Sequence, residues 1–360
     1  MQVAVDMRMA RSSGIGTYLR QVVPLVFRAG SGMSPAMLGD VAELGDLDPG
    51  TEALRIPASA PIYSVGEQLE LRRRIPRATR AFWSPHYNIP LFYAGPLIVT
   101  IHDVLHLARP EYVRHRHQRA YARLMFAAIR RRASAVICDS NFTADELRRL
   151  AGVDSGKMHV VHLGVEEAWF KDPGAAVPHP RPYFVYVGNV KPHKNLRRLV
   201  RAFGALSDDL PHDLIIIGRR HGFISGDPIV AQEAARLGGR IVFTDHVSDA
   251  DVRNFVGHAD ALVLPSLYEG FGLPALEGMA AGCPVIVSRA GSLPEVCGEA
   301  GVYIDPESEG QLADAMRRVA MDGQLREDLV EAGRVRARSF TWERCADHTR
   351  QILQDAIPRS

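Results

Sequence analysis

The stretch that decides how this chain is interpreted is Pro265–Glu277, PSLYEGFGLPALE. It follows the apolar run Ala261–Leu264, which has the length of a strand and is stopped by a proline. The glycines that come next allow a close approach to the backbone, and Pro274 suits the first positions of a helix. We therefore predict a strand, a glycine-rich loop and a helix over 274–282.

This segment predicts an anion site between two carboxylates. The first amides of the helix and the positive end of its dipole favour a bound diphosphate. Glu269 lies in the loop, and Glu277 lies in the first turn of the predicted helix. Because a carboxylate repels a phosphate, the two glutamates suit hydroxyl groups on either side of it, as in a nucleoside diphosphate sugar. On these two residues alone, a helix-stabilising role for Glu277 and a solvated loop charge at Glu269 remain open.

The segment resembles the retaining glycosyltransferases of family four, whose signature is two glutamates separated by seven residues around Gly-Phe-Gly-Leu-Pro. The resemblance implies the glycosyltransferase-B fold, in which two domains face a cleft. It also implies that Glu269 contacts the transferred sugar and that Glu277 contacts the ribose hydroxyls. The donor contacts that it implies between them are Gly270, Phe271, Gly272 and Leu273.

Another loop matches the diphosphate contacts of this family. Lys194 corresponds to a lysine on the diphosphate, where a compact cation suits the developing charge. Asn189 stands where family members often have an arginine, which puts a clamp of two cations in doubt. The remaining cations that could join Lys194 are Lys191, His193 and Arg219. A solvated Lys194 is the alternative.

Two loops complete the donor candidates. Gly14 and Gly16 open the helix after the first strand, and the equivalent family loop lies over the donor diphosphate; a plain tight turn explains these glycines equally well. Val247 lies in the loop over 243–249, which meets the nucleobase in the family.

Histidines at predicted strand ends are candidates in the first half. His102 ends the apolar run Leu97–Ile101, and its ring can donate a hydrogen bond or carry a proton near neutral pH. In the family this position contacts the donor sugar, although a lone histidine is more often structural. His86 and Tyr87 occupy a similar loop and are our candidates for acceptor contacts.

Strand-length runs alternate with helical segments along the whole chain, which indicates parallel α/β units. The runs are Gln2–Asp6, Ala81–Ser84, Leu97–His102, Ala135–Asp139, His159–Leu163, Tyr183–Gly188, Asp213–Gly218, Arg240–Phe243, Ala261–Leu264 and Pro284–Val287. Thr143 and Glu146 fit a capping box that opens the helix after one of these strands.

A proline-rich segment within 171–182 separates two such halves, because it can continue neither a helix nor a strand. We predict an α/β protein with two doubly wound, Rossmann-like domains over 1–172 and 183–341, joined by a linker over 173–182. The resemblance assigns the acceptor to the first domain and the nucleotide sugar to the second. It also implies that the last helix, within 342–360, packs back on the first domain.

Composition excludes several classes of protein. The chain has 360 residues, 46% hydrophobic and 23% charged, which is typical of a globular protein of two domains. No apolar stretch reaches the roughly 18 residues that span a bilayer, and the N-terminus lacks the basic region of a signal peptide, so we expect a cytoplasmic protein. Four cysteines without a CxxC pair predict reduced thiols rather than disulfides or a zinc site.

The net charge of +2 hides an asymmetry, because residues 1–175 hold 22 Lys and Arg against 17 Asp and Glu. Basic clusters over 71–80 and 114–132 could contact a polyanionic acceptor or the anionic inner face of the plasma membrane, and a solvated helix face is the alternative. No nucleic-acid-binding module accompanies them. We interpret Asp46 and Asp48 as solvated, so we expect neither a metal nor a cofactor, with the nucleoside diphosphate sugar as co-substrate.

The resemblance implies retaining transfer of a hexose, with mannose from GDP-mannose as the first candidate, to a hydroxyl of a glycan or lipid-linked acceptor in surface polysaccharide synthesis. Lys194 and the helix amides would stabilise the leaving diphosphate. Glu269 and His102 would position the sugar. Two alternatives stay open: a sugar-nucleotide 2-epimerase of the same architecture, and a catalytically silent scaffold that binds sugar nucleotides.

Overall fold

The computed structural model of the chain describes residues 1–45, 47, 52–113, 115–218, 228–244 and 247–358. The chain forms two compact units, one of Met1–Gly164 with Thr341–Ser360 and one of Val165–Phe340. Several residues that entered the predictions above lie outside the described residues: Asp46, Asp48, Arg114, Arg219, Asp245 and His246.

The first unit is built on a parallel sheet of seven described strands. Their bounds are β1 Gln2–Asp6, β2 Ser34–Gly39, β3 Leu54–Pro57, β4 Ala81–Ser84, β5 Leu97–Ile101, β6 Ala135–Cys138 and β7 Met158–Val160. Their order is β3-β2-β1-β4-β5-β6-β7. The direction of winding therefore reverses between β1 and β4.

Helices connect these strands. They are α1 Ser13–Val26, α2 Val41–Leu44, α3 Val65–Arg74, α4 Leu105–Ala108, α5 Arg116–Arg132 and α6 Asn141–Ala151. Short 3₁₀ turns lie at Pro110–Tyr112 and Ser155–Lys157. The side chain of Ser140 caps α6 by accepting from the Thr143 amide, so the predicted cap at Thr143 is wrong and that residue is already helical.

The second unit repeats the same plan. Its strands are β8 Tyr183–Val187, β9 Asp213–Ile217, β10 Ile241–Thr244, β11 Ala261–Leu264, β12 Val285–Ser288 and β13 Gly301–Ile304. Their order is β10-β9-β8-β11-β12-β13, so the winding reverses between β8 and β11. Side chains along β9 and β11 are buried throughout, as expected for parallel strands covered by helices on both faces.

The helices of the second unit are α7 Leu196–Gly204, α8 Pro228–Arg236, α9 Asp249–Gly257, α10 Leu273–Ala280, α11 Leu293–Cys297, α12 Glu309–Met321 and α13 Gly323–Ala337. Its 3₁₀ turns are Glu167–Phe170, Pro192–Lys194 and Gly298–Ala300. In neither unit is any helix of the described residues long and apolar enough to cross a membrane.

The chain passes between the units earlier than the predicted linker, at Gly164 and Val165. The proline-rich segment lies in the second unit because it packs on α9. A Cβ atom built on Gly257 would lie 2.8 Å from the Cβ atom of Pro173. The Asn254 side chain donates a hydrogen bond of 3.0 Å to the Ala176 carbonyl.

The last helix, α14 Trp342–Asp355, belongs to the first unit and packs beside α1. Arg350 donates to the Leu25 carbonyl at 3.3 Å, and Gln354 donates to the Ser31 carbonyl at 3.2 Å. A Cβ atom on Gly164 would lie 2.2 Å from the Trp342 amide nitrogen, so only glycine fits where the helix begins.

Candidate functional site

In the second unit, Lys194 and Glu269 lie together at the place where the strand order reverses. Lys194 follows β8 and Glu269 follows β11, the two strands between which the winding reverses. The Lys194 Nζ atom donates to both carboxylate oxygens of Glu269, at 2.7 and 2.8 Å. Ligands of doubly wound sheets bind at this place, beyond the carboxyl ends of the strands.

The Glu269 loop is held by a serine of its own and by the loop that follows β12. Ser266 donates to Glu269 Oε1 at 2.7 Å, which leaves the carboxylate pointing at Lys194. Ser292 donates to the Glu269 carbonyl through its amide at 3.1 Å and through its hydroxyl at 3.2 Å. Gly291 has φ +63°, and a Cβ atom there would lie 2.3 Å from the Glu269 carbonyl oxygen, so the close approach requires glycine.

The turn that carries Lys194 is held by Asn195. This asparagine has a left-handed backbone, with φ +62°, and is buried. Its side-chain amide donates to the carbonyls of Pro265, at 3.0 Å, and Pro306, at 2.7 Å, and its oxygen accepts from Arg198 at 3.1 Å. Asn195 therefore ties the lysine turn to the strand end that leads into the Glu269 loop.

Helix α10 begins one residue earlier than predicted and ends at Ala280 rather than at 282. Gly272 is its N-cap, with φ +98°, and no side chain of the described residues caps this end. Leu273 is the first helical residue and Pro274 the second, so Glu277 lies beyond the first turn, which corrects the prediction for Glu277. A capping role for Glu277 is thereby disfavoured, because the terminal amides are out of its reach.

The other donor candidates of this unit lie in loops around the same strand ends. The Phe271 ring is buried and packs against Phe340, with the ring centroids 6.0 Å apart. Gly270 is buried beside it. The Asn189 carbonyl accepts from the Tyr186 hydroxyl at 3.0 Å, and Val247 directly precedes the Ser248 cap of α9.

Glu277 is half-buried and faces other acidic groups. Burial raises the pKa of this carboxyl to about 7, and the charges of Glu166 and Asp249 act in the same direction, whereas Arg253 opposes them. A carboxyl with such a pKa carries part of its charge near neutral pH. It can therefore either donate or accept a hydrogen bond when a ligand arrives.

In the first unit, His102 lies at the end of β5 and uses both ring nitrogens within the protein. Nδ1 is 2.6 Å from Asp139 Oδ2, and Nε2 is 2.9 Å from the Pro85 carbonyl oxygen. Because a carbonyl can only accept, Nε2 carries a proton, and a second proton is shared between Nδ1 and the carboxylate. Asp139 and Pro85 thus hold the His102 ring in one orientation.

The surroundings of His102 favour its charged form. Burial by itself lowers the pKa of this imidazole. The charge and hydrogen bond of Asp139 and the hydrogen bond to Pro85 raise the pKa by more than burial lowers it, so that it lies above its ordinary value. The Tyr18 ring meets the imidazole edge-on, with centroids 4.9 Å apart. His102 is therefore held in one orientation with its charged form favoured, and its contact with a sugar stays a prediction.

Gly14 and Gly16 lie inside the first turn of α1 rather than in a turn before it. A Cβ atom on Gly16 would lie 2.5 Å from the Ala10 carbonyl oxygen, so packing within the unit requires this glycine. A Cβ atom on Gly14 would meet no described atom within 4 Å. Packing explains Gly16, whereas at Gly14 the described fold leaves open space.

The two acceptor candidates lie in the loop after β4 but differ in their surroundings. His86 is buried, with Nε2 3.2 Å from Asp6 Oδ2 and Nδ1 accepting from the Asn88 amide at 3.2 Å. Tyr87 is half-buried and stacks on Phe126 and Tyr63, with centroids 5.3 and 5.9 Å apart. His86 belongs to a polar network and Tyr87 to an aromatic cluster.

Within the described ranges, no group of three or more His, Cys, Asp or Glu side chains is arranged to hold a metal ion. Sequence reasoning missed the residues that support the site: Asn195, Ser266, Gly291, Ser292 and Asp139. An asparagine just before a helix, and a Gly-Ser pair after a strand, are signals that could have indicated three of these positions, Asn195, Gly291 and Ser292.

Replacing Glu277 with Gln should change how stability depends on pH. The folded-state pKa of about 7 lies above the ordinary 4.5, so the folded protein binds this proton more tightly than the unfolded chain does. The ionised carboxyl therefore lowers the free energy of unfolding as pH rises through this window. At about pH 8 we expect the free energy of unfolding of Glu277→Gln to exceed that of the wild type by on the order of 2 kcal/mol. Water still reaches part of the side chain, which makes this difference smaller than the pKa shift alone would give.

Urea unfolding at about pH 4 and about pH 8 measures this difference, which should vanish at the lower pH. Glu327→Gln removes an exposed carboxylate of the same unit and serves as the control. An equal offset between wild type and Glu277→Gln at both pH values would contradict the electrostatic origin of the effect.

Comparison with known proteins agrees with this architecture. The profile of the family described as Glycosyl transferases group 1 matches residues 167–336, and that of Glycosyltransferase Family 4 matches residues 76–169. O-antigen chain mannosyltransferase B of Escherichia coli is 29% identical over 77% of this chain and 76% of that protein. O-antigen chain mannosyltransferase RfbU of Salmonella typhimurium is 30% identical over 65% of this chain and 63% of that protein.

A solved structure confirms the predicted fold class. The Anabaena protein HepE, crystallised with UDP and glucose, superposes with a TM-score of 0.81 at 17% identity, over 99% of this chain and 100% of that chain. This likeness shows the two-domain α/β fold of glycosyltransferase-B type. The two family matches together cover residues 76–336 and agree with that fold, so the chain is similar to the group 1 and family 4 glycosyltransferases over most of its length.

Proposed function

We propose that this glycosyltransferase moves a hexose, with retention of configuration, from a nucleoside diphosphate sugar to a hydroxyl of a glycan or lipid-linked acceptor in polysaccharide synthesis. Two relatives are named O-antigen chain mannosyltransferases, which supports mannose as the sugar and GDP-mannose as the first donor to test. HepE was crystallised with UDP and glucose, which supports a nucleotide-sugar site of the same kind.

The observation that carries this proposal is the contact of Lys194 with both oxygens of Glu269, at 2.7 and 2.8 Å, where the strand order reverses. A diphosphate beside the N-terminus of α10 would attract the lysine and leave the glutamate able to accept from sugar hydroxyls. One ion pair thus supplies a cation for the leaving group and an acceptor for the sugar.

The reaction would proceed on one face of the sugar. The bond between the anomeric carbon and the diphosphate oxygen breaks, and the acceptor oxygen bonds to that carbon from the same side. The acceptor's proton passes to the departing diphosphate. Lys194 and the amides at Gly272 and Leu273 would stabilise the charge that develops there. Fixed cations and amides of this kind usually contribute more to the rate enhancement of an enzyme than any other effect.

Three further residues would support this reaction. Glu277 would accept from the ribose hydroxyls, and its half-buried position suits a contact that water does not weaken. For His102 we keep the proposal of a contact with the transferred sugar, made by a ring that Asp139 and Pro85 orient. For Gly14 we keep the proposal of a contact with the donor diphosphate.

Turnover of radiolabelled GDP-mannose with octyl α-mannoside tests this proposal. We expect a labelled disaccharide whose new linkage has the anomeric configuration of the donor, determined by NMR. Lys194→Met should lower turnover by about a hundredfold or more, as expected when a group that stabilises the developing charge is removed. Lys171→Met removes an exposed lysine of the same unit to which no role is assigned and should leave turnover unchanged.

Three results would contradict the proposal. They are an inverted linkage, unchanged turnover in Lys194→Met, and release of an epimerised sugar nucleotide without transfer. The last would identify a 2-epimerase.

We also propose that the protein binds the surface of the membrane that would carry a lipid-linked acceptor, and that the exposed face of α3 contacts anionic lipid there. Val65 is 79% exposed and Leu69 45%, one helical turn apart. Phe92 is 56% exposed, and the Arg72 guanidinium lies 5.6 Å from its ring centroid. The helix ends in the three exposed arginines Arg72, Arg73 and Arg74. Exposed apolar side chains beside a basic cluster favour an anionic bilayer surface.

Replacing Arg72, Arg73 and Arg74 with Gln should weaken binding to vesicles of phosphatidylglycerol and phosphatidylcholine. Each basic residue contributes about 1 kcal/mol near such a surface, so we expect a loss of roughly a hundredfold, measured by vesicle sedimentation. Glutamine at Arg201, Arg317 and Arg318 removes the same charge from the second unit and is the control. Undiminished sedimentation of the first variant would dismiss this surface.

A further inference from the structure

A second polar site lies where the strand order of the first unit reverses, between β1 and β4. Asp6 ends β1, Arg8 follows it by two residues, and His86 follows β4 by two residues. All three side chains are buried, and that of Arg8 is 4% exposed. Buried charged groups at the ligand-binding edge of a doubly wound sheet call for a functional explanation.

Arg8 is held by two carboxylates. Its Nε atom donates to Asp6 Oδ1 at 2.8 Å, and its Nη2 atom lies 2.5 Å from both Asp6 Oδ2 and Glu67 Oε1. The remaining nitrogen, Nη1, is buried and has no hydrogen-bond partner among the described residues. A buried guanidinium nitrogen without a partner is costly, so the site is complete only when a further oxygen accepts from it.

The charge of this network indicates which oxygen fits. Asp6 and Glu67 outnumber the single guanidinium, because the His86 Nδ1 atom accepts from the Asn88 amide and so carries no proton, which leaves that ring uncharged. Asp103 adds a further negative charge that acts on the neighbouring Tyr63 and Tyr87. A phosphate or carboxylate would meet repulsion from these groups. A hydroxyl oxygen can accept from Nη1 without adding charge.

Aromatic rings adjoin this network. The Tyr63 amide donates to Glu67 Oε2 at 2.8 Å, and the Tyr121 hydroxyl donates to Asn88, whose amide donates to Glu67 Oε1. The Tyr63 ring stacks on Tyr87 and meets Tyr121 edge-on, with centroids 5.9 and 5.5 Å apart. Glu67 therefore joins the tyrosine cluster to the Arg8 network.

Tyr63 has two properties that a purely structural tyrosine does not need. Its backbone is left-handed, with φ +70°, which is unfavourable for a bulky side chain. Its side chain is nevertheless 48% exposed. Strain of this kind persists where the surrounding structure demands a particular placement, and here it presents an aromatic face to solvent beside buried polar groups.

We propose that this site binds the uncharged terminal sugar of the acceptor. The sugar ring packs its C–H face on Tyr63, and one of its hydroxyl oxygens accepts from Arg8 Nη1. The inference rests on the proposed function and names the class of acceptor, which is a neutral glycan terminus rather than a phosphorylated or carboxylated sugar.

Saturation-transfer NMR titrations of the full-length protein test this assignment. The probes are methyl α-mannoside, methyl α-glucoside and methyl α-galactoside as neutral sugars, with mannose 6-phosphate and glucuronate as anionic ones. We expect at least one neutral glycoside to bind about tenfold or more tightly than either anion. Tyr63→Asn introduces a residue that tolerates a left-handed backbone but lacks the aromatic ring, so it should weaken the binding of that glycoside about tenfold. Leu54→Asn alters an exposed apolar residue of an edge strand and should change nothing.

A second variant tests the charge argument. Glu67→Gln removes one negative charge beside Arg8, so the preference for the neutral glycoside over mannose 6-phosphate should fall about tenfold. Tighter binding of the anionic probes by the wild type, or an unchanged glycoside affinity in Tyr63→Asn, would overturn the inference. So would the absence of binding by every neutral glycoside.

Donor binding, measured on the same samples by the shift in melting temperature with GDP-mannose, separates two kinds of failure. Retained donor binding with failed glycoside binding refutes only the acceptor assignment. Loss of both removes the proposed function as well.

Discussion

Each unit of this protein depends on the one place in its sheet where the order of parallel strands reverses. Two neighbouring strands there send their connections to opposite sides, which leaves a crevice that helices do not fill. In the second unit that place holds Lys194 and Glu269, and in the first unit it holds Asp6, Arg8 and His86. The functional assignments follow from what these crevices contain.

The two crevices differ in charge, and this difference decides which ligand each one suits. In the second unit a lysine opposes one carboxylate beside an uncapped helix N-terminus, so an arriving diphosphate finds both a cation and free dipole charge. In the first unit two carboxylates outnumber one arginine, so an anion is repelled there. The same fold thus presents one site suited to a phosphate and another suited to a hydroxyl.

Both sites are held by contacts between distant parts of the chain. Asn195 bonds to Pro265 and Pro306, and Gly291 packs on the backbone of Glu269. Such contacts restrict where Lys194 and Glu269 can lie. These placements require backbone strain, which is seen in the left-handed conformations of Asn195 and Tyr63.

The loop and helix of Pro265–Glu277 were predicted from the sequence, because the glycines and the proline of this segment have local consequences, whereas its donor contacts stay predictions. The α/β class and most strands of both units were also predicted, because buried parallel strands are apolar throughout. The strands β2, β3 and β13 were missed. β2 contains a proline and ends in glycine, β3 is largely exposed, and β13 begins with glycine and is fully buried only at Ile304.

Other features could not be predicted because their causes are distant in the sequence. The proline-rich segment looked like a free linker, but Gly257 and Asn254 hold it on α9. The partners of Asn195 lie 70 and 111 residues away. Arg8 and Glu67 carry no motif, and only the sheet order brings them together.

The measurement that tests the central claim most directly is thermal unfolding of the protein with GDP-, UDP-, ADP- and dTDP-sugars. A ligand that binds only the folded state raises its stability by an amount set by the ratio of ligand concentration to dissociation constant. We predict a raised melting temperature with one nucleotide sugar, and loss of that shift in Lys194→Met. Unchanged melting of well-folded protein with all four would contradict a nucleotide-sugar site at Lys194 and Glu269.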